Sequence, residues 1–363
     1  MFTRWRFLQI GMLALAISAC AAPQSRPAPG PSTPTPATPA TPAKPEQKLP
    51  SSQLDKDQTA YVQALARERN LPAEQLGIIL QSAQYNPTVA RLIAPAVAGK
   101  KVVRSWTVYR KRVVEPIRIR WGVDFMNANE ATLAQASQRF GVPPSIIVAI
   151  IGVETNYARN MGSFSVLDAL YTLAFRYPDP ARPDRQEMFR NQLSDFLALV
   201  MKGRLDVGAQ GSYAGAIGMA QFMPGSIERY AVDGDGDGVI DLTNSTKDAI
   251  LSVGNFLAEH GWQRGLPVFA PVTLPADPSA LVDGGLEPHL TWSQMQAAGA
   301  RTADGSASWT SHKMGVINLP DDQHGTVQYR TGTPNFFALT HYNRSYFYAS
   351  SVADLATELQ ARK

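Results

Sequence analysis

Eight consecutive apolar residues, Ile146 to Val153, end on an acid, Glu154, and any fold this chain adopts must accommodate that run. Pro143 and Pro144, just before it, suit the first turn of a helix, where a fixed φ helps and a missing N–H costs nothing. At helical spacing Glu154 then shares a face with Ile147, Ile150 and Ile151. A carboxyl held against aliphatic side chains loses hydration in its charged form, so its pKa rises and it holds a proton near neutrality. A general acid needs that property. The residue taken alone is equally compatible with a salt-bridged glutamate emerging at a helix end.

The rest of the folded part reads as mainly α, an α+β protein with little sheet. Apolar residues recur at helical spacing over Leu54 to Asn70 and Ser105 to Met126, with Pro116 expected to break or restart the second stretch. Asn129 to Phe140 predicts a helix ended by Gly141. Ser165 is placed to cap a helix through Phe175, another runs from Gln186 to Met201, and Lys247 to His260 stops at Gly261. Between Gly265 and Gly332 short apolar stretches, Val268 to Val272 and Met314 to Leu319, predict a small β-rich insertion. Helical pattern resumes near Pro334. The expected organisation is a leader over 1–19, a tether over 20–52, an N-terminal helical domain over 53–141 and a core over 142–264. The insertion over 265–332 follows, and the core closes over 333–363.

Arg4 and Arg6 give the leader a basic start, Phe7 to Ile17 an apolar core, and Ile17-Ser18-Ala19 a small-residue approach to Cys20, the chain's only cysteine. Those last four residues resemble the lipobox of bacterial lipoproteins. The resemblance implies cleavage before Cys20, a lipid on that cysteine and, with Ala21 rather than aspartate next, an outer-membrane lipoprotein facing the periplasm. An uncleaved anchor and an ordinary secretory peptide are the alternatives. The following Pro, Ala, Thr and Ser residues bury nothing and stay extended, as a tether does. Losing Arg4 and Arg6 takes the net charge from +4 to +2, too little for a nucleic-acid partner. The 44% apolar and 18% charged shares are those of a globular chain.

Two further segments carry chemistry. Gly211 to Pro224 is rich in small residues that let backbone approach a ligand, with Ser212, Gln221, Met219 and Phe222 offering hydrogen bonds beside apolar surface. Close helix packing explains the same glycines. His341 to Ala349 holds Tyr342, Asn343, Tyr346, Phe347 and Tyr348, residues that can form core or line a carbohydrate cleft.

Gly152-Val153-Glu154-Thr155-Asn156, Gly162 with Leu167-Asp168-Ala169-Leu170, Ala214-Gly215-Ala216-Ile217-Gly218 with Gln221-Phe222-Met223-Pro224, and Tyr342-Asn343 with Ser345 and Tyr348-Ala349 together resemble the lytic transglycosylases. Within them the match is to the membrane-bound lytic murein transglycosylase B family, from about Leu54 onward. The resemblance implies a lysozyme-like helical core and cleavage of the β-1,4 bond between N-acetylmuramic acid and N-acetylglucosamine in peptidoglycan, ending in a 1,6-anhydro ring. Glu154 would be the catalytic residue. Ser212 and Gln221 would hold the sugar, with Met219, Phe222, Tyr342, Asn343 and Tyr348 shaping the cleft. Arg182 and Arg185 stand where the family has arginines near stem peptides, although Asp179-Pro180 departs from its pattern.

No second acid sits beside Glu154 or in the other two segments, and Asp168, mid-helix, reads as structural. A single acid suffices if the substrate's acetamido group assists, so no cofactor is required for catalysis. Asp233, Asp235, Asp237 and Val239 resemble the start of a calcium loop, with glycine at its sixth position. Asn244 stands where a bidentate glutamate is expected, and Asp248 could close a longer loop around a structural Ca2+. An acidic turn without an ion has the same composition. The function expected is thus a peptidoglycan transglycosylase, with a hydrolytic muramidase and a non-catalytic peptidoglycan-binding lipoprotein as alternatives.

Overall fold

The computed structural model describes residues 54–95, 103–305 and 308–362. The expected leader, the tether and Cys20 lie outside the described residues. Helix α1 (Lys56–Arg69) starts on a reciprocal cap, in which Asp55 Oδ1 accepts the Gln58 N–H at 2.9 Å and Gln58 Oε1 accepts that of Asp55 at 3.1 Å. Two N–H groups that a helix start leaves unpaired are thereby satisfied. α2 (Ala73–Ser82) and α3 (Pro87–Ile93) follow, the second capped by the Asn86 side chain. α4 (Trp106–Val113) and α5 (Pro116–Ala128) part at Pro116, as the sequence predicts. α6 (Glu130–Phe140) ends at Gly141, whose φ of 75° is the left-handed conformation that glycine adopts without strain.

α7 (Pro144–Thr155) is the helix of the apolar run. Beyond it come β1 (Phe164–Ser165), α8 (Val166–Phe175), α9 (Pro183–Met201), β2 (Gln210–Gly211), α10 (Pro224–Tyr230) and α11 (Thr246–Glu259). The insertion holds β3 (Val272–Thr273), α12 (Trp292–Ala297), β4 (Arg301–Thr302), β5 (Gly315–Asp321) and β6 (Thr326–Gly332), and the chain closes with α13 (Pro334–Tyr342) and α14 (Tyr346–Gln360). Strands pair antiparallel as β1–β2, β3–β4 and β5–β6. The mainly α expectation holds. The stretch Val268 to Val272 gives an isolated antiparallel bridge, Phe269 to Gly332, and a strand only at its end, with Pro271 between them having no N–H to donate.

α7 lies at the centre. Ile147, Val148, Ala149, Ile150 and Ile151 retain no exposed surface, because α5, α6, α11 and α14 pack around the helix. A helix apolar on every side is stable only under such cover, each buried isoleucine contributing about 1.5–3 kcal/mol. Gly152 lets one neighbour in: a Cβ there would lie 2.5 Å from the Tyr157 ring. The core containing α7 also takes in Val62 and Leu65 of α1, Leu76 and Leu80 of α2, and Val89 of α3. A second, smaller core inside the insertion gathers Met295, Trp309, Met314 and Val316, with Trp292 and Trp309 in edge contact at 4.9 Å. No single described helix is long and apolar enough to cross a membrane.

Candidate active site

Glu154 sits one residue before the C-terminus of α7 and is only 6% exposed although it is ionisable. The Tyr348 hydroxyl on α14 donates to its Oε1 at 2.6 Å. Burial pushes the Glu154 carboxyl up to about 7, and the Tyr348 hydrogen bond, which favours the charged form, pulls against that rise. The charge of Glu154 in turn adds to burial in holding the Tyr348, Tyr342 and Tyr109 phenols above their ordinary range. A cleft of about 280 Å3 opens beside it, and among the described residues Glu154 is the only carboxylate in its lining.

The segment after Glu154 is conformationally costly. Asn156, Tyr157 and Ala158 take φ values of 51°, 60° and 67°, three successive left-handed residues without a glycine. Buried Arg118 holds this turn, donating to Asn156 Oδ1 at 2.9 Å and to the carbonyls of Arg112 and Val113 at 2.6 and 2.7 Å. Thr155 Oγ1 donates to the Met219 carbonyl at 3.1 Å, tying the end of α7 to the glycine-rich segment.

That segment is a set of tight turns stacked on β2. Ser212 N–H donates to the Ala216 carbonyl at 2.9 Å and Ser212 Oγ accepts from the Ala216 N–H at 3.0 Å, so the Ser212 proton remains to be donated into the cleft. Gly218, with φ 72°, packs so closely that a Cβ would lie 2.3 Å from the Leu242 carbonyl oxygen. Gln221, itself at φ 48°, spends its Nε2 on the carbonyls of Met161 and Gly218 at 3.1 and 3.0 Å. Its side chain lines the cleft with its carbonyl oxygen uncommitted to those bonds.

The structure brings Glu154, Ser212, Gln221, Asn343 and Tyr348 into one cleft. Met219, Phe222 and Tyr342, expected to shape the cleft, are not in that lining. Phe222 packs on Phe256 and Tyr342 at 5.5 and 5.9 Å, and the Tyr342 hydroxyl donates to the Ala220 carbonyl at 2.6 Å. Met219 is buried, its N–H bonded to the Leu242 carbonyl at 2.8 Å. In a segment of consecutive turns no period of two or 3.6 tells which side chains face the ligand. Arg185 lines the cleft, whereas Arg182 lies exposed and paired with Asp184 at 2.8 Å. Asp168 is structural as read, accepting the Gln84 N–H at 2.8 Å. Sequence reading missed Tyr109, Arg112, Arg118, Phe164 and Tyr213 in the lining. Tyr109 and Arg112 arrive only because α4 packs against α14, a tertiary contact with no local signal.

Away from the cleft, oxygens of Asp233, Asp235 and Asp248 lie within 4.8 Å of one another. Asp237 stands apart, its carboxylate accepting the Val239 N–H at 2.8 Å, and Asn244 donates to Asp241 at 2.8 Å instead of completing the cluster. The Ser245 hydroxyl donates to Asp235 at 2.8 Å, and backbone N–H groups of Gly234 and Asp241 donate to Asp248 at 2.8 and 2.7 Å. Three carboxylates whose oxygens gather this closely are a donor set that suits a hard divalent cation.

Comparison with known proteins gives one consistent set of relatives. The family model described as "Transglycosylase SLT domain" matches residues 54–357. The chain is 37% identical over 304 residues to membrane-bound lytic murein transglycosylase B of Escherichia coli strain K12, covering 81% of this chain and 80% of that protein. It is similar to the crystal structure of catenated lytic transglycosylase SltB1 from Pseudomonas aeruginosa, with a TM-score of 0.76 and 37% identity over 86% of this chain and 99% of that one. The Escherichia coli lytic transglycosylase Slt35 in complex with calcium matches with a TM-score of 0.70 and 35% identity, over 84% of this chain and 92% of that one.

Proposed function

Because the chain belongs to the SLT-domain lytic transglycosylases, enzymes that act on peptidoglycan, we propose that Glu154 alone carries its proton chemistry. The observation behind this reading is that, among the described residues, one buried carboxyl is the only acid lining the cleft, and burial pushes it up to about 7. Glu154 gives its proton to the bridging oxygen of the β-1,4 bond as the bond from C1 of N-acetylmuramic acid breaks. The 2-acetamido oxygen of that sugar attacks C1 and shares the positive charge. The carboxylate left on Glu154 then takes the proton of the C6 hydroxyl as O6 attacks C1 and expels the acetamido oxygen. The Glu154 proton is restored, no water is consumed, and a 1,6-anhydro end results. Ordinary two-carboxylate glycosidases need a second acid to supply the nucleophile or activate water. Ser212 suits donation to a sugar oxygen, and the Gln221 carbonyl oxygen suits the acetamido N–H.

The acid role has a pH signature. Tyr348 stabilises the Glu154 carboxylate, so removing its hydroxyl raises the Glu154 pKa further. A general acid works while protonated, so activity falls as pH rises through that pKa. Tyr348→Phe is therefore expected to move the alkaline limb of kcat/KM upward by about one pH unit, the worth of one hydrogen bond to a charged group. A limb that stays in place or moves down would remove Glu154 from the acid role.

The cluster of Asp233, Asp235 and Asp248 would hold a structural Ca2+, as the donor chemistry and the calcium complex of the similar Slt35 support. When bound, the ion would clamp the loop before α11 onto that helix; none of the proposed chemistry passes through it. Lipid on Cys20 would anchor the enzyme in the outer membrane facing the periplasm, in keeping with the membrane-bound name of its relative. Cys20→Ala is expected to transfer the protein from the membrane to the soluble fraction; a variant still found wholly with the membrane would exclude that anchor.

A further inference from the structure

The turn after Glu154 costs more than a simple chain reversal requires. Asn156, Tyr157 and Ala158 are all left-handed, and the last of them drives the chain on while the Tyr157 ring enters a slot between α5 and α7. In that slot the Tyr157 hydroxyl oxygen lies 2.4 Å from where a Cβ of Gly122 would stand and 2.5 Å from where one of Gly152 would stand. A side chain at either glycine would close it. The hydroxyl is buried and has no hydrogen-bond partner among the described residues. Strain of this kind persists only where the surroundings over-determine it, and it collects at sites that need a fixed geometry.

Arg118 does the determining. It stands in the first turn of α5, only 7% exposed. Its Nη1 donates to the carbonyls of Arg112 and Val113, which end α4 and have no partner within that helix. Its Nε donates to Asn156 Oδ1 at 2.9 Å, with Glu115 at 3.3 Å as counterion. One planar guanidinium thus joins the end of α4, the start of α5 and the end of α7, which a lysine ammonium on a flexible stem could not do with fixed angles. Asn156 in turn closes the helical turn that carries Glu154: its N–H donates to the Gly152 carbonyl at 3.1 Å, and Glu154 lies two residues before it. Tyr348 holds the carboxyl from the side of α14.

Resting on the reading of Glu154 as the acid, we propose that Arg118 is a positioning residue for glycan cleavage: acting through Asn156, it fixes the last turn of α7 so that the Glu154 carboxyl meets the bridging oxygen. Its contribution is geometric and acts on turnover more than on binding.

The test compares kcat and KM of full-chain variants on soluble, uncross-linked peptidoglycan strands, at a temperature below the melting transition of each. Asn156→Gly accepts the left-handed backbone freely and removes only the acceptor, from a residue outside the cleft lining. Its kcat is expected to fall about thirtyfold with KM within about twofold, since displacing a catalytic group by about 1 Å costs up to about a hundredfold in rate. Asn156→Asp, which keeps an acceptor for Nε, should recover most of that loss. Arg118→Lys, which keeps the charge and loses the fork, should be slow. Arg118→Met combined with Asn156→Gly should be no slower than Arg118→Met alone, because both changes break one connection. If Arg118→Met does not fold, the two Asn156 variants decide the matter. A lower melting temperature with unchanged kcat in Asn156→Gly would overturn the positioning role, as would an Asp variant no faster than the Gly variant, a wild-type rate in Arg118→Lys, or losses that multiply in the double variant. Glu154→Gln is assayed beside them: wild-type turnover there would overturn the acid reading and this inference together, whereas an inactive Glu154→Gln beside a fully active Asn156→Gly would overturn this inference alone.

Discussion

Exchanging Glu154 for Gln is expected to lower turnover of peptidoglycan about a thousandfold, within the range that positioned acid–base catalysis contributes, while glycan affinity changes only a fewfold. The amide keeps the size and the Tyr348 contact of the acid and lacks its proton. The same substitution should alter stability in the opposite sense. A carboxyl whose pKa is raised by folding, here to about 7, binds a proton in the folded chain that the unfolded chain has already released. Its stabilising contribution is complete below the unfolded pKa and declines as pH rises through the folded one, by about 3 kcal/mol in all. The Gln variant has nothing to ionise, so it should outlast the wild type at alkaline pH and converge with it in acid. Melting curves across pH check this, and a Gln variant that loses stability at high pH in parallel with the wild type would contradict the buried-acid account.

The second large effect concerns the acidic loop. An ion that binds only the folded chain stabilises it by about 2.7 kcal/mol at a free concentration a hundredfold above its Kd. For a chain of this size that corresponds to a melting temperature about 4–5 °C higher with calcium than with chelator. Asp235→Asn removes one charge from the cluster and should shrink the increment, since Asp235 is bonded to Ser245 and supports no backbone group there. Identical melting temperatures with calcium and with chelator would leave the loop as an acidic turn.

Glu154 was legible because burial of the Ile146–Val153 run follows from composition alone, and a helix of known start places the acid on an aliphatic face. Helix ends were legible where a specific residue makes them, at Pro116 and Gly141, and at Ser165, whose Oγ accepts the Asp168 N–H at 3.2 Å. α2 and α3 went unread although Leu76 and Leu80 stand one turn apart, because two short helices broken by Pro87 offer little periodicity to detect. The cleft was harder. Tyr348 and Asn343 came from resemblance, and their facing depends on how α14 lies against α7. Tyr109, Arg112 and Arg118 are brought in by helix packing across long stretches of chain, and nothing in their own neighbourhood separates them from other surface or core residues.

On the mechanism proposed above, one neutral carboxyl cuts the strand without water. Mass spectrometry of muropeptides released from purified sacculi tests it most directly. The wild type should release fragments ending in anhydromuramic acid, each one water lighter than its hydrolytic counterpart, and the Glu154→Gln chain should release almost none. Fragments of full hydrolytic mass, or anhydro ends formed by the Gln variant at the wild-type rate, would contradict the account.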